Sequence, residues 1–114
     1  MHPQYLEIVT PEVDATLTSL EKTHGITFGD SQADMGGART AEIPGGGMIG
    51  VRAPMHAAEN SVVRPYLLVE DIESAVANAV EAGAEVAMPP TPMEGRGTFA
   101  IYFLGGIEHG LWQL

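Results

Sequence analysis

Between Tyr5 and Thr10 (YLEIVT) apolar and polar positions alternate, which places Leu6 and Ile8 on one face of a short strand and Tyr5, Glu7 and Val9 on the other. The period then lengthens. After Pro11-Glu12, residues Val13, Leu17 and Leu20 fall at i, i+4 and i+7, the spacing of one helix face, and Gly25 stops the run. The same order returns later: Pro65 to Val69 (PYLLV) reads as a strand, Glu70-Asp71 opens a helix with Ile72, Val76 and Val80 on one face, and Gly83 closes it. Glu12 and Asp71 stand 59 positions apart, and Gly25 and Gly83 stand 58 apart, so one supersecondary unit occurs twice with a one-residue indel.

Each helix is followed by three strand-like pieces. In the first half these are Ile26-Thr27-Phe28, Gly37 to Ile43 and Gly47 to Val51, separated by turn signals that include Pro44-Gly45-Gly46-Gly47. In the second half they are Ala84 to Met88, Thr98 to Leu104 and Glu108 to Leu114, divided by a proline-rich loop, Pro89-Pro90-Thr91-Pro92, and by Gly105-Gly106. Each half therefore reads βαβββ. A strand-helix-strand start gives a parallel pair and the meander adds antiparallel partners. The predicted fold is α+β: two tandem βαβββ modules forming a cupped, mixed eight-stranded sheet with the helices on its outer face. Residues 1–114 make a single domain, with module one over about 1–53, a linker over 54–62 and module two over about 63–114.

Charge narrows the function classes. Fifteen acidic residues against 5 basic ones give a net charge of −10, which repels nucleic-acid phosphates and anionic lipid and attracts cationic small molecules. The absence of cysteine removes disulfides, thiolate metal sites and cysteine nucleophiles. No apolar run approaches the roughly 20 residues of a membrane span, and Met1-His2-Pro3-Gln4 lacks the pattern of a secretory leader, so a cytoplasmic location is expected. The glycine clusters Gly36-Gly37 and Gly45-Gly46-Gly47 do not lie between a strand and a helix, and they read as turns rather than phosphate loops.

The segments YLEIVTPEV, LLVEDIESAVANAVEAGAEV and GRGTFAIYFLGGIEHGLWQL resemble the vicinal oxygen chelate superfamily, which includes glyoxalase I, extradiol dioxygenases and the bleomycin- and fosfomycin-resistance proteins. The closing GLWQ is most similar to a branch labelled hydroxylases or glyoxalase-like proteins. In the metal-dependent members the resemblance implies ligands on the first and last strands of each module. Those positions fall on Tyr5, on Met48 or Gly50, on Pro65 and on Gly110, none of which is a histidine or carboxylate. Of the four histidines, His2, His24 and His56 lie in terminal, helix-end and linker segments, and His109 is one residue out of register. No metal site and no cofactor are therefore expected.

Strand parity leaves a candidate ligand cup. Tyr5 and Glu7 face it from the first strand, Glu108 and Trp112 from the last, and Phe99, Ile101 and Phe103 or their neighbours from the strand beside it. Arg52 is the candidate partner for Glu7 because basic residues are so scarce, with a solvated surface arginine as the alternative. A Trp, a Tyr and carboxylates suit a small organic molecule, cationic or aromatic, held by stacking and ion pairing. The first functional expectation is a metal-free, glyoxalase-like binding protein of the drug-sequestration type. The alternative is an enzyme of the same superfamily, a lyase, isomerase or dioxygenase-like protein, using Glu7 as acid/base or a metal through another ligand set. A homodimer is what the resemblance implies.

Overall fold

The alternation of the first strand is realised in the computed structural model, which describes residues 1–114: along β1 (Pro3–Val9), Tyr5, Glu7 and Val9 are buried on one face, while Leu6 and Ile8 turn to the other. The chain continues through α1 (Val13–His24), β2 (Ser31–Gln32), a 3₁₀ turn (Ala33–Met35), β3 (Ala38–Glu42), β4 (Met48–Arg52), β5 (Val62–Leu68), α2 (Ile72–Glu81), β6 (Glu85–Met93), β7 (Gly97–Leu104) and β8 (Ile107–Gln113). The expected α+β class and both βαβββ modules are present, eight strands in all with mixed pairing. Two compact units divide the contacts: Tyr5–Val63, and Met1–Gln4 with Arg64–Leu114.

In the unit Tyr5–Val63 the strand order is β2-β3-β4-β1. Strands β1 and β4 run parallel, with Tyr5 opposite Met48, Glu7 opposite Gly50 and Val9 opposite Arg52. Leu6 and Ile8 join Ile49 and Val51 beneath the Leu17 and Leu20 face of α1, so one side of this sheet is an aliphatic core. Gly25 ends the helix in the left-handed conformation (φ 68°), returning its N–H to the Glu21 carbonyl at 2.9 Å, a geometry that glycine adopts without a Cβ penalty. Residues 26–28 do not form the expected strand. The Phe28 N–H donates instead to the Glu21 carboxylate (3.0 Å) and the Phe28 side chain enters the core, so the β-partner of β3 is the shorter Ser31–Gln32.

In the other unit the order is β5-β8-β7-β6. The Leu68 N–H donates to the His2 carbonyl at 2.7 Å, which ties residues 1–4 to β5. Ile72, Val76 and Ala75 of α2 pack on Ala100 and Leu111. Asp71 caps this helix: its carboxylate accepts from the Ser74 N–H and hydroxyl, both at 3.1 Å, and the Ile72 N–H donates to Gln113 Oε1 at 2.8 Å. The Ser74 N–H also draws the Asp71 carboxyl below its ordinary pKa. Asp71→Ala is expected to lower the thermal midpoint by a few degrees, most clearly near neutral pH, and a circular-dichroism melt checks it.

Pro89 to Pro92 are not a loop but part of β6. This strand pairs only with β7, and the pairing shifts register between Met88 and Thr91, so Pro89 and Pro90 sit where the ladder is interrupted. Prolines are tolerated there because a terminal strand leaves one side of its backbone without a ladder partner.

Candidate functional site

In the unit Tyr5–Val63, the side of the sheet opposite α1 carries Tyr5, Glu7 and Val9 from β1 and Met48, Gly50 and Arg52 from β4. Arg52 is 4% exposed and Glu7 is 8% exposed, so the arginine is a buried partner and not a solvated one. Its Nε donates to Glu7 Oε2 at 3.0 Å. The other edge of the guanidinium binds Glu59 in a fork, Nη1 to Oε1 at 2.9 Å and Nη2 to Oε2 at 2.7 Å, and Nη1 also donates to the Ala53 carbonyl at 3.3 Å. Glu59 Oε1 accepts the Met55 N–H as well, at 2.7 Å. One arginine thus links the first strand, the fourth strand and the segment 53–59.

The electrostatics follow from this geometry. The fork to Glu59, and then the bond to Glu7, hold the Arg52 guanidinium above its ordinary pKa against the opposing effect of burial. The same fork, helped by the Met55 N–H, pulls the Glu59 carboxyl from 4.5 down to about 2.

Glycine makes room for this arrangement at two positions. A Cβ on Gly50 would fall inside the Tyr5 hydroxyl, so only glycine lets the buried tyrosine lie across β4. A Cβ on Gly36 (φ 68°) would lie 3.0 Å from Arg52 Cδ and 2.6 Å from Met55 Cε, so the backbone of this turn forms the wall against which the arginine stem rests.

The other unit carries a matching arrangement with different chemistry. Tyr66 lies opposite Gly110 as Glu7 lies opposite Gly50, and Trp112 takes the place that Arg52 holds. Here the charged pair is replaced by rings. Tyr66 and Trp112 meet edge to face at 5.8 Å, Phe99 packs on both at 6.2 and 6.4 Å, and the Trp112 indole N–H donates to the Arg96 carbonyl at 3.0 Å. Trp112 is 3% exposed. Phe103 lies opposite Glu108 on the same face but is 44% exposed, and Glu108 accepts from Arg64 Nη2 at 2.9 Å. His109 faces the other way and stacks on Tyr102 at 4.9 Å.

Sequence reasoning brought Glu7 and Arg52 together and placed Phe99 beside Trp112, but missed Glu59, Arg64 and Tyr66. Glu59 is the sole carboxylate in a linker without a period, which was the available signal. Pro65 is exposed, and its neighbours Arg64 and Tyr66 are the buried residues of β5, so the inward register is one residue from the position the resemblance implies.

The resemblance to metal-dependent proteins implies positions for a divalent metal, and the donor set at those positions does not fit one. Tyr5, Met48, Gly50 and Gly110 offer no imidazole or carboxylate, and no group of three or more His, Cys, Asp or Glu side chains converges to hold an ion. A side chain at Gly110 has no space either, since its Cβ would lie 2.6 Å from the Tyr66 ring and 2.8 Å from the Pro65 carbonyl.

No protein-family model matches the chain, and no curated protein matches it in sequence. Solved structures do match in fold. A hypothetical protein from Bacillus halodurans C-125 superposes with a TM-score of 0.75 at 15% identity, covering 98% of this chain and 93% of the other. Methylmalonyl-CoA epimerase from Mycobacterium tuberculosis gives 0.73 at 14% identity, covering 98% and 87%. A variant of the Streptomyces coelicolor methylmalonyl-CoA epimerase, in complex with 2-nitronate-propionyl-CoA, gives 0.69 at 15%, covering 99% and 96%. No helix of this chain is long and apolar enough to cross a membrane. At such identities the likeness establishes the fold alone, and that fold is the one of the vicinal oxygen chelate proteins, which the strand-helix pattern and the closing GLWQ of the sequence resemble.

Proposed function

We propose that the chain is an enzyme that moves a proton at a carbon beside a carbonyl, with Glu7 as the acid/base. The observation that carries this reading is the buried Glu7–Arg52 pair with the half-buried Glu59 behind it, in which a carboxylate on an otherwise apolar strand is held in one orientation by an arginine that is itself clamped. Fixing a carboxylate in this way serves proton transfer, where misplacement by an ångström lowers the rate. The epimerases among the fold neighbours also support an enzyme, because inverting a carbon flanked by carbonyls requires a proton to leave and return.

In the proposed step the Glu7 carboxylate takes the proton, the C–H electron pair moves into the carbonyl as an enolate, and return of the proton to carbon restores the carboxylate. Arg52 positions Glu7, and Glu59 positions Arg52. Drug sequestration, the first expectation from the sequence, has less support. Tyr66, Phe99 and Trp112 pack on one another, and Trp112 and Tyr66 are buried, so their faces serve the core.

The test is deuterium uptake from D₂O, followed by NMR, across a panel of small carbonyl compounds and thioesters. Glu7→Gln, nearly isosteric, is expected to reduce exchange by about a hundredfold or more with an unchanged circular-dichroism spectrum. Saturable binding of a compound recovered without deuterium would overturn the enzyme reading in favour of sequestration.

A further inference from the structure

One face of β7 carries two phenylalanines in different surroundings. Ala100 and Tyr102 point to α2, so Phe99, Ile101 and Phe103 point to the other side of the sheet. Phe99 lies between Thr91 and Trp112 and packs into the aromatic cluster. Phe103 lies between Glu85 of β6 and Glu108 of β8, and it is exposed. A strand flanked on both sides usually matches an aromatic ring with aromatic or β-branched cross-strand neighbours. Two carboxylates give the ring of Phe103 no such cover.

The row Glu85–Phe103–Glu108 has the make-up of a cation seat. Strands stand about 4.8 Å apart, so a positive group over the ring lies about that distance in plan from each carboxylate-bearing strand. The ring face attracts a cation through its quadrupole, and the carboxylates add direct charge. Glu85 is exposed. Glu108 accepts from Arg64 Nη2 at 2.9 Å, yet its side chain is 41% exposed against 8% for Arg64, so the carboxylate and not the guanidinium meets the solvent.

The next row supplies an apolar seat. Ile101 lies opposite Met88, which is exposed. Since Val86 is opposite Tyr102, a regular ladder would bring Ala87 to Ile101, and it is the register shift between Val86 and Met88 that puts the longer methionine on this face instead. A net charge of −10 draws cations to the molecule as a whole.

From this we infer that this face binds a hydrophobic organic cation, with an ammonium head over Phe103 between Glu85 and Glu108 and an alkyl or aryl tail on Ile101 and Met88. The seat lies in the unit that holds β5 to β8, not in the one that holds Glu7, and the inference stands without the proton-transfer reading.

The experiment titrates the full chain calorimetrically with 4-phenylbutyltrimethylammonium and with 4-phenylbutanol, which share a tail and differ in the charged head. Methionine-methyl NMR spectra, with the Met88 signal assigned through Met88→Leu, locate the binding. At low ionic strength the ammonium is expected to bind at least about tenfold more tightly than the alcohol and to shift the Met88 signal, with the gap narrowing as salt is added. Phe103→Leu keeps an apolar side chain without a ring face, and should weaken ammonium binding about tenfold while changing alcohol binding less than about twofold. Glu85→Gln, at an exposed position, should weaken the ammonium about threefold and lose this effect at high salt. Absence of ammonium binding, equal or tighter binding of the alcohol, or binding that leaves the Met88 signal in place would overturn the inference. So would a Met88 signal that moves with protein concentration alone and ceases to do so in Phe103→Leu, since a second copy of the chain then covers this face.

Discussion

Arg52→Met should destabilise the protein by about 3–5 kcal/mol at neutral pH, because it removes the cation that the buried Glu7 and the half-buried Glu59 share. Urea denaturation at pH 7 measures this directly. Methionine keeps most of the stem that rests against Gly36, so the loss reports charge more than volume. The sign of the pH dependence gives a second readout. The Glu59 carboxyl is lowered from 4.5 to about 2 in the folded protein, so its pairing contributes fully above pH 4.5 and is lost as the pH falls towards 2. The wild-type protein should weaken across that window. The Arg52→Met protein should lose most of this dependence, keeping the part due to the Met55 N–H, and the gap between the two should narrow on acidification. A triple variant with Glu7→Gln and Glu59→Gln added should recover part of the loss, since the groups left behind are then neutral.

Gly97→Ala is expected to cost at least about 3 kcal/mol, from a backbone angle that L-residues resist and from overpacking against backbone. Gly97 has φ 114°, and a Cβ there would overlap the Gln113 carbonyl oxygen and lie 3.2 Å from Leu114 Cα. No rotamer relieves a clash with main chain. Gly95→Ala is the control. Gly95 also has positive φ (75°) but open space around the added carbon, so it should carry only the conformational cost of about 1–2 kcal/mol. Comparing the two by thermal denaturation separates the clash from the angle. Equal losses would show that β7 and β8 separate freely at this end.

What the sequence disclosed depended on whether the signal was local. Val13, Leu17, Leu20 and the stop at Gly25 lie within one helix, and the structure follows them residue for residue. Leu6 and Ile8 against Tyr5, Glu7 and Val9 were equally legible, because strand parity needs no partner to be known. Phe28 was misleading. It has the residue type of a strand, but its N–H is taken by a carboxylate seven positions earlier. Pro89 to Pro92 misled in the opposite direction, since proline signals a loop unless the strand is known to be terminal.

At the candidate site, Arg52 and Glu7 could be paired from scarcity of cations, although 45 positions separate them. Glu59 could not. Its side chain matters only because the segment after β4 folds back, and nothing periodic announces that return. The inward register of β5 was lost by one residue, which in a strand exchanges the faces and placed Pro65 where Arg64 and Tyr66 in fact face inward.

The prolines of β6 have a consequence for how molecules of this protein meet one another. Three of its nine residues, Pro89, Pro90 and Pro92, have no N–H to offer, and the register shift after Met88 breaks what a regular strand would present as a continuous row of donors. With Val86 and Met88 exposed, an unbroken edge here would invite recruitment of another chain and growth into fibrous aggregates. An interrupted, donor-poor rim is a weak template for such growth.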